Sequence, residues 1–476
     1  MHSVEHTLKL KDGRLLAYHT FPNAEEEEEE EEKEKVKIKV KADKEGTVSI
    51  TTAEQEQEQE RHPVLYFHGY PSCGLEGGVT SARSVARAGG RLYAIDRPGM
   101  GKISSPYYPY NNNKDEDKEE EKEDNNYNNP NSNPNTNLDT FVENVWELVE
   151  DQGWNDFSIL GLSGGGPYIL AVLASYLQRM EKQKYKQKQQ HQSSESSDDN
   201  SNGNSSTKSL QALPRLRNVC LVCAICMSAG SDGIKIKSDM ESMNTLVESA
   251  STSRISRFWL HTFALTQGIV NSYIFPILPI SWIQKGMIAN AHTPISDQQW
   301  IVSNEGESFF SKYIPARASM AAQGQLLSNP GIYDDTLIVI RAHHSHEDII
   351  RKHYSNDDDG DTSAKNTNTN TITNSSSSSS YNTNKDDNDL EQDDDDDDDL
   401  LPAVGIFQGA SDINVPLSHA QFMHQSIFNE HKRSKLILYE DLGHLSTIGT
   451  KSGDYAAFAT RTRTRTRTLT LNCTDK

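Results

Sequence analysis

Three residues spread along the 476-residue chain have the types and the order needed to activate a hydroxyl: Ser163, Asp412 and His444. A serine hydroxyl is a weak nucleophile until a base takes its proton. Histidine can serve as that base near neutral pH, and an acid on its second ring nitrogen fixes the tautomer and stabilises the imidazolium. Ser163 stands in Gly161-Leu162-Ser163-Gly164-Gly165, a G-x-S-x-G run. Small neighbours let strand and helix approach closely around a strained turn that lifts the hydroxyl clear of a sheet. A Gly-rich strand–helix turn can also cradle a phosphate. Here no Walker lysine follows, and the G-x-G-x-x-G spacing is absent.

His444 lies in Asp441-Leu442-Gly443-His444, just past the last expected strand, where a loop can return it over the sheet. The competing reading is a surface-loop histidine. His419, His424 and His431 fall on an expected helix and are less well placed. His343, His344 and His346, with Glu347 and Asp348, read as chance matches to a metal site or an H-x-x-x-x-D pattern. Asp412 follows Gly409-Ala410-Ser411 after an expected strand, and its competing role is an Asx-turn. An acyl-transfer site also needs donors for the developing oxyanion. The Gly164 amide is one candidate. The other is the Tyr70 amide, in the loop His68-Gly69-Tyr70-Pro71, which His68 and Gly69 would support structurally.

Placing these residues requires strands that end beside one another. Short apolar runs alternate with amphipathic stretches, the pattern of a mostly parallel sheet flanked by helices. His6–Leu10 and Arg14–Phe21 flank Asp12-Gly13 as a hairpin. Strands are expected at Val64–Phe67, Leu92–Ile95, Phe157–Leu160, Val219–Met227, Val404–Phe407 and Lys435–Tyr439, with helices at Val79–Ala88, Leu138–Val149 and Gly166–Leu177. The strand–helix rhythm is lost over 231–350, which implies a helical cap. The expected organisation is therefore a first core part over 1–230, the cap over 231–350, a disordered acidic insert over 352–400, a second core part over 401–458 and a tail over 459–476.

Four tracts offer too little apolar surface to offset the entropy of ordering: 25–60, 107–137, 181–210 and 352–400. They carry the acidity behind the net charge of −22 and leave the remainder near neutral. Polyanionic tracts repel phosphates, which argues against a nucleic-acid partner. The five cysteines are too few for a disulfide framework and fit a reducing, cytoplasmic setting. Cys220, Cys223 and Cys226 sit in one apolar run. On a strand they would alternate in direction, so they read as buried residues and not as a metal site. Met1 to Arg14 lacks an apolar signal core. The most apolar stretch, Phe258–Ile283, is interrupted by Gln267, Asn271, Pro276 and Pro279, and reads as a cap helix pair and not as a membrane span.

With these residues in place the sequence resembles the α/β-hydrolase superfamily, in its capped serine hydrolase and esterase branch. Five landmarks carry the resemblance in order: His68-Gly69-Tyr70-Pro71, Asp96-Arg97-Pro98-Gly99-Met100-Gly101, the Ser163 turn within Leu162-Ser163-Gly164-Gly165-Gly166-Pro167-Tyr168, Gly409-x-x-Asp412, and Gly443-His444. Ser–Asp–His is the chain order that such a fold implies. The resemblance implies cleavage of a small, fairly apolar ester or related acyl bond through an acyl-enzyme, with no cofactor or metal. Serine at the turn argues against the dehalogenase and epoxide hydrolase chemistries that use aspartate there. Lys102-Ile103-Ser104 departs from the family pattern, in which serine comes sooner. Two other classes are a receptor that keeps the fold as a ligand pocket, and a scaffold acting through its acidic tracts.

Overall fold

The computed structural model describes residues 3–21, 61–101, 134–195, 212–226, 254–290, 292–318, 331–341, 344–355 and 400–461. The tract 25–60 lies outside these residues, as do most of the other polar tracts and the tail beyond Arg461.

Eight strands form one sheet: β1 (Val4–Lys9), β2 (Leu15–Thr20), β3 (His62–Phe67), β4 (Gly90–Ile95), β5 (Asp156–Leu162), β6 (Arg215–Val222), β7 (Ala403–Gly409) and β8 (Ser434–Tyr439). Their order is β1-β2-β4-β3-β5-β6-β7-β8. β1 and β2 form the expected hairpin through Asp12-Gly13, and β2 runs antiparallel to β4. From β4 to β8 every pairing is parallel. This is the α/β-hydrolase architecture that the sequence led us to expect.

Residues alternate across the sheet with period two. Leu65 and Phe67 of β3, Ile159 of β5, and Val219 and Leu221 of β6 face one core. Val64, Tyr66, Leu160, Leu162, Cys220 and Val222 face the other. Burial on both faces is what a parallel sheet between helical layers demands. The helical run α1 (residues 75–87) and the C-terminal helices cover one face. α2 (Pro134–Asp151) and α3 (Gly166–Glu195) cover the other, with Phe141, Val145 and Leu148 against Ile169 and Leu173.

Between β6 and β7 the longer described helices are α4 (Arg254–Ile269), α5 (Ile280–Ala289), α6 (Ile295–Ile301), α7 (Asn304–Ala318), α8 (Gly331–Arg341) and α9 (His344–Tyr354), and the helical run α10 (residues 417–427) follows β7. Packing divides this stretch more finely than a single cap over 231–350. α8 and α9 lie on α2 and α3, and Ile338, Ile350 and Tyr354 belong to the main core. α5, α6 and α7 instead gather around a small core of their own, made by Ile283, Trp300, Ile301, Phe310 and Ile314. Apolar residues at helical spacing mark all of these segments alike, so periodicity alone could not separate them. Residues 231–253 lie outside the described part.

Three tracts expected to be disordered are entered by ordered helix. α3 runs on to Glu195, into 181–210, because lysine and glutamine are good helix formers. Its Glu181 is tied to Lys352 at 2.8 Å. α2 begins at Pro134, inside 107–137, with proline at a position where its missing N–H costs nothing. α9 extends to Tyr354, whose buried hydroxyl donates to Pro402 O at 2.9 Å. Among the described residues no helix is long and apolar enough to cross a membrane.

Candidate active site

Parallel strands in register end along one edge, and the loops beyond that edge converge. Phe67 of β3 lies opposite Gly161 of β5, Leu162 of β5 opposite Val222 of β6, and Gly409 of β7 opposite Tyr439 of β8. The residues that follow these strand ends are His68, Ser163, Cys223, Asp412 and His444.

Ser163 follows β5 directly and has φ of +46°, a left-handed conformation that non-glycine residues seldom adopt. Its carbonyl accepts from Ile225 N at 2.9 Å, which pins the turn to the β6 loop. Gly164 is required by close approach. A Cβ there would stand 2.5 Å from Tyr70 Cβ and 3.0 Å from Tyr70 N. The two amides selected as oxyanion donors thus belong to neighbouring backbone segments beside the serine.

Asp412 is buried, and each of its carboxylate oxygens is used twice. Oδ1 accepts from Asn414 N and Val415 N, both at 2.9 Å. Oδ2 accepts from His444 Nδ1 at 2.7 Å and from Gln408 Nε2 at 3.2 Å. The Asx-turn role weighed against catalysis is therefore present together with the histidine contact. Burial pulls the His444 pKa down, but the Asp412 charge and hydrogen bond, with the Cys223 thiol, outweigh it. The net value stands well above the usual histidine range. Among the described contacts Ser163 Oγ has no hydrogen bond to His444. Such bonds are often long in unliganded sites and tighten on substrate.

Cys223 also has φ of +46°, and its Sγ lies within 4.8 Å of ligand atoms on both Asp412 and His444. Among the described residues this trio is the one group with metal-ligand types that close together, and an ion there would have to displace the Nδ1–Oδ2 contact. The strand expected over Val219–Met227 ends at Val222. Only Cys220 is therefore on the strand, with Sγ toward Tyr455 O at 3.5 Å, while Cys226 turns to Glu347 Oε1 at 3.7 Å. His419 is buried behind the site and accepts the Cys226 amide on Nδ1 at 3.0 Å. Burial lowers its pKa to about 4, so it is neutral. His346 is held by Asp139 at 2.9 Å.

His68 is fully buried, and its Nδ1 donates to Gly69 O at 2.9 Å. Burial, then the Arg97 charge, holds its pKa well below the usual histidine range. Arg97 donates to His68 O and forms a two-pronged pair with Asp335 at 2.7 and 2.8 Å, stacked over the Tyr168 ring. Tyr168 OH donates to the same Asp335 at 2.6 Å. Asp334 beside it is pushed up to about 7, by burial first and the Asp335 charge second.

The sequence reading missed the residues that hold these loops from outside the sheet. Asp297 of α6 is buried, and it receives Ser446 N at 2.9 Å, Ser446 Oγ at 2.6 Å and Leu445 N at 3.4 Å. It thereby caps α11 (His444–Thr450), the helix that begins with His444 itself. Gly443 is needed because a Cβ there would meet the Asp297 carboxylate at 2.5 Å. Glu76 receives Gly69 N at 2.6 Å and Tyr313 OH of α7 at 3.0 Å. A methyl on Gly69 would lie 3.3 Å from Glu76 Oε1 and 3.7 Å from Ser163 Cβ, so the carboxylate and the serine lie on the same side of Gly69. Arg317 donates to Pro71 O at 2.7 Å, and Tyr70 OH meets Thr336 Oγ1 at 2.6 Å. The one local signal was acidic residues among apolar helical neighbours, as at Asp334 and Asp335.

A shallow cleft of about 520 Å³ opens beside the Asp412 loop, between Ser411 and Ile413 on one side and His292 and Ile295 on the other. No family model matches the sequence, and no curated protein does. Solved structures similar in shape include a bromoperoxidase from Bacillus anthracis, at 14% identity and a TM-score of 0.45 over 95% of this chain and 97% of that one. An α/β-hydrolase fold protein from Nakamurella multipartita gives 13% and 0.45 over 96% and 98%. An esterase from Exiguobacterium antarcticum gives 13% and 0.39 over 93% and 92%.

Proposed function

We propose that the chain is a serine hydrolase that cleaves a small, fairly apolar carboxylic ester, or a related acyl bond, through an acyl-enzyme. The observation that carries this reading is the buried Asp412–His444 pair at 2.7 Å, set on the same sheet edge as a serine held at φ of +46°. In this reading neutral His444, its Nδ1–H fixed on Asp412, accepts the Ser163 proton on Nε2 as the hydroxyl attacks the ester carbonyl. The Tyr70 and Gly164 amides take the negative charge on the carbonyl oxygen. Collapse of the intermediate expels the alcohol, which regains the proton from His444, and water then repeats the sequence on the acyl-serine. His68 and Gly69 support the loop. The chemistry is complete with these side chains and needs no cofactor.

In the same reading α4 to α7 form the cap over the site, and the ester is the chain's small-molecule partner. The four cysteines among the described residues are buried and form no disulfide with one another, which fits a cytoplasmic setting, and the acidic tracts disfavour nucleic acid. A fluorophosphonate probe tests the core of the proposal, since only an activated serine is phosphonylated rapidly. Wild-type protein should be labelled at Ser163, and Ser163→Ala should not be labelled. A wild-type protein that resists the probe, or a variant that still takes it, overturns the assignment.

A further inference from the structure

Helix α4 is apolar on both sides. Its inward residues, Leu260 and Ala264, pack on the main core and on the cluster that holds Cys73, Met100 and Ile332 beside Tyr70. Its outward residues Ile255, Phe258, Trp259 and Ile269 recur at helical spacing, and Tyr273 continues the stripe into the next turn. Phe258 is 64% exposed and Trp259 57%. Beyond them Ile277 is 79% exposed and Trp282 of α5 65%. A helix whose solvent side carries large apolar and aromatic residues departs from the polar outer face of a surface helix.

Charge indicates what covers it. From Arg254 to Ser296 the sequence contains Arg254, Arg257 and Lys285 and no aspartate or glutamate, in a chain of net charge −22. Lys285, one helical turn from the exposed Trp282, and the lack of acidic residues along the stretch suit the headgroup region of an anionic bilayer, where aromatic rings sit at the polar–apolar boundary.

We propose that the outward face of α4 and the start of α5 docks on an anionic lipid surface. The helix lies flat, with Phe258 and Trp259 inserted among the acyl chains and Lys285 at headgroup level. Since Ala264 on the opposite side packs beside the Tyr70 loop, docking brings the candidate site within about one helix diameter, ~10 Å, of the bilayer.

Vesicle flotation tests this without reference to catalysis, so its outcome is independent of the serine hydrolase reading. The full chain should float with phosphatidylcholine vesicles that contain phosphatidylglycerol, float less with phosphatidylcholine alone, and be released by raised ionic strength. Phe258→Glu/Trp259→Glu should lower the bound fraction at least about tenfold while its circular dichroism and turnover of a soluble p-nitrophenyl ester stay at wild-type values. Lys285→Glu should weaken binding to the anionic vesicles alone. The proposal is overturned if wild-type protein floats with neither vesicle, or if the double variant floats as well as wild type. It is also overturned if wild-type protein sediments as a dimer that the double variant dissolves and no vesicle binding is seen, for then a second copy covers the face.

Discussion

The sheet and the helices inserted between β6 and β7 serve the candidate site in different ways. The sheet edge holds every group proposed to react: Ser163 after β5, Asp412 after β7 and His444 after β8. The insertion holds none of them, yet Asp297 caps the His444 helix and Tyr313, through Glu76, fixes the loop that carries Tyr70. Reactive chemistry and its alignment are thus lodged in separate layers. Damage to the first should alter what the site can do with a proton, and damage to the second should alter only how often its parts are in line.

The widest gap between the layers is expected at the nucleophile. Ser163→Ala should lower kcat/KM for p-nitrophenyl esters by roughly 10⁴-fold or more, leaving whatever the oxyanion donors and binding provide. Far-ultraviolet circular dichroism should not change. Turnover within tenfold of wild type would remove Ser163 from the reaction.

Asp412→Asn comes next, with a loss of roughly 10³–10⁴-fold, because an amide N–H in place of Oδ2 would favour the wrong tautomer of His444. This substitution also has a pH signature. The base must be neutral, and its folded pKa lies well above the ordinary ~6.5. Wild-type kcat/KM should therefore rise with pH through a value above about 6.5. Without the Asp412 charge, burial becomes the dominant influence on His444, so the acid limb should move to lower pH. A limb that stays in place in the variant would mean that another group titrates.

The groups proposed to react carry local sequence signatures, and the groups that hold them do not. Ser163 stands among glycines because Gly164 must pass Tyr70, and such a constraint leaves a local signature. Strand positions were legible for a related reason, since burial on both faces yields short apolar runs such as Val64–Phe67. Asp297 meets Ser446 across 149 positions, and nothing near either residue records the meeting. The course of the chain beyond Val222 escaped as well. An apolar run cannot show that Cys223 turns left-handed toward His444. Helix α3 runs past its expected end at Leu177 because the helix propensity of its lysines and glutamines outweighs their polarity.

Asp297→Ala probes the insertion's hold on His444. Three hydrogen bonds to one buried carboxylate disappear, and the first turn of α11 loses its cap, at a cost of about 1–2 kcal/mol of stability. A small displacement of the imidazole should lower kcat by about ten- to a hundredfold. Asp412 and its charge remain, so the acid limb of the pH profile should not move. A shifted limb would show that Asp297 tunes His444 electrostatically, and the division between the two layers would fail.

The smallest effect is expected at Tyr313→Phe. The change removes one hydroxyl, which donates to Glu76 Oε1 at 3.0 Å, while Oε2 keeps the Gly69 amide at 2.6 Å. Glu76 is buried, so a carboxylate oxygen deprived of its donor should swing toward water or another partner and loosen its grip on Gly69. The Tyr70 amide follows directly in the chain, and Arg317 still holds Pro71 O. The oxyanion donor should therefore be misplaced for part of the time and not lost. That corresponds to a fall in kcat of about three- to tenfold, well short of the ~10²–10³ that follows deletion of a donor. KM should hold, because the donors act most strongly on the charge that develops in the transition state. Phosphonylation of Ser163 should slow in parallel, as it too places charge on an oxygen at this position, while the pH limb set by His444 stays fixed. If the thermal midpoint drops but kcat and labelling rate remain at wild-type values, the Tyr313–Glu76 contact fastens the insertion to the sheet without aligning the site.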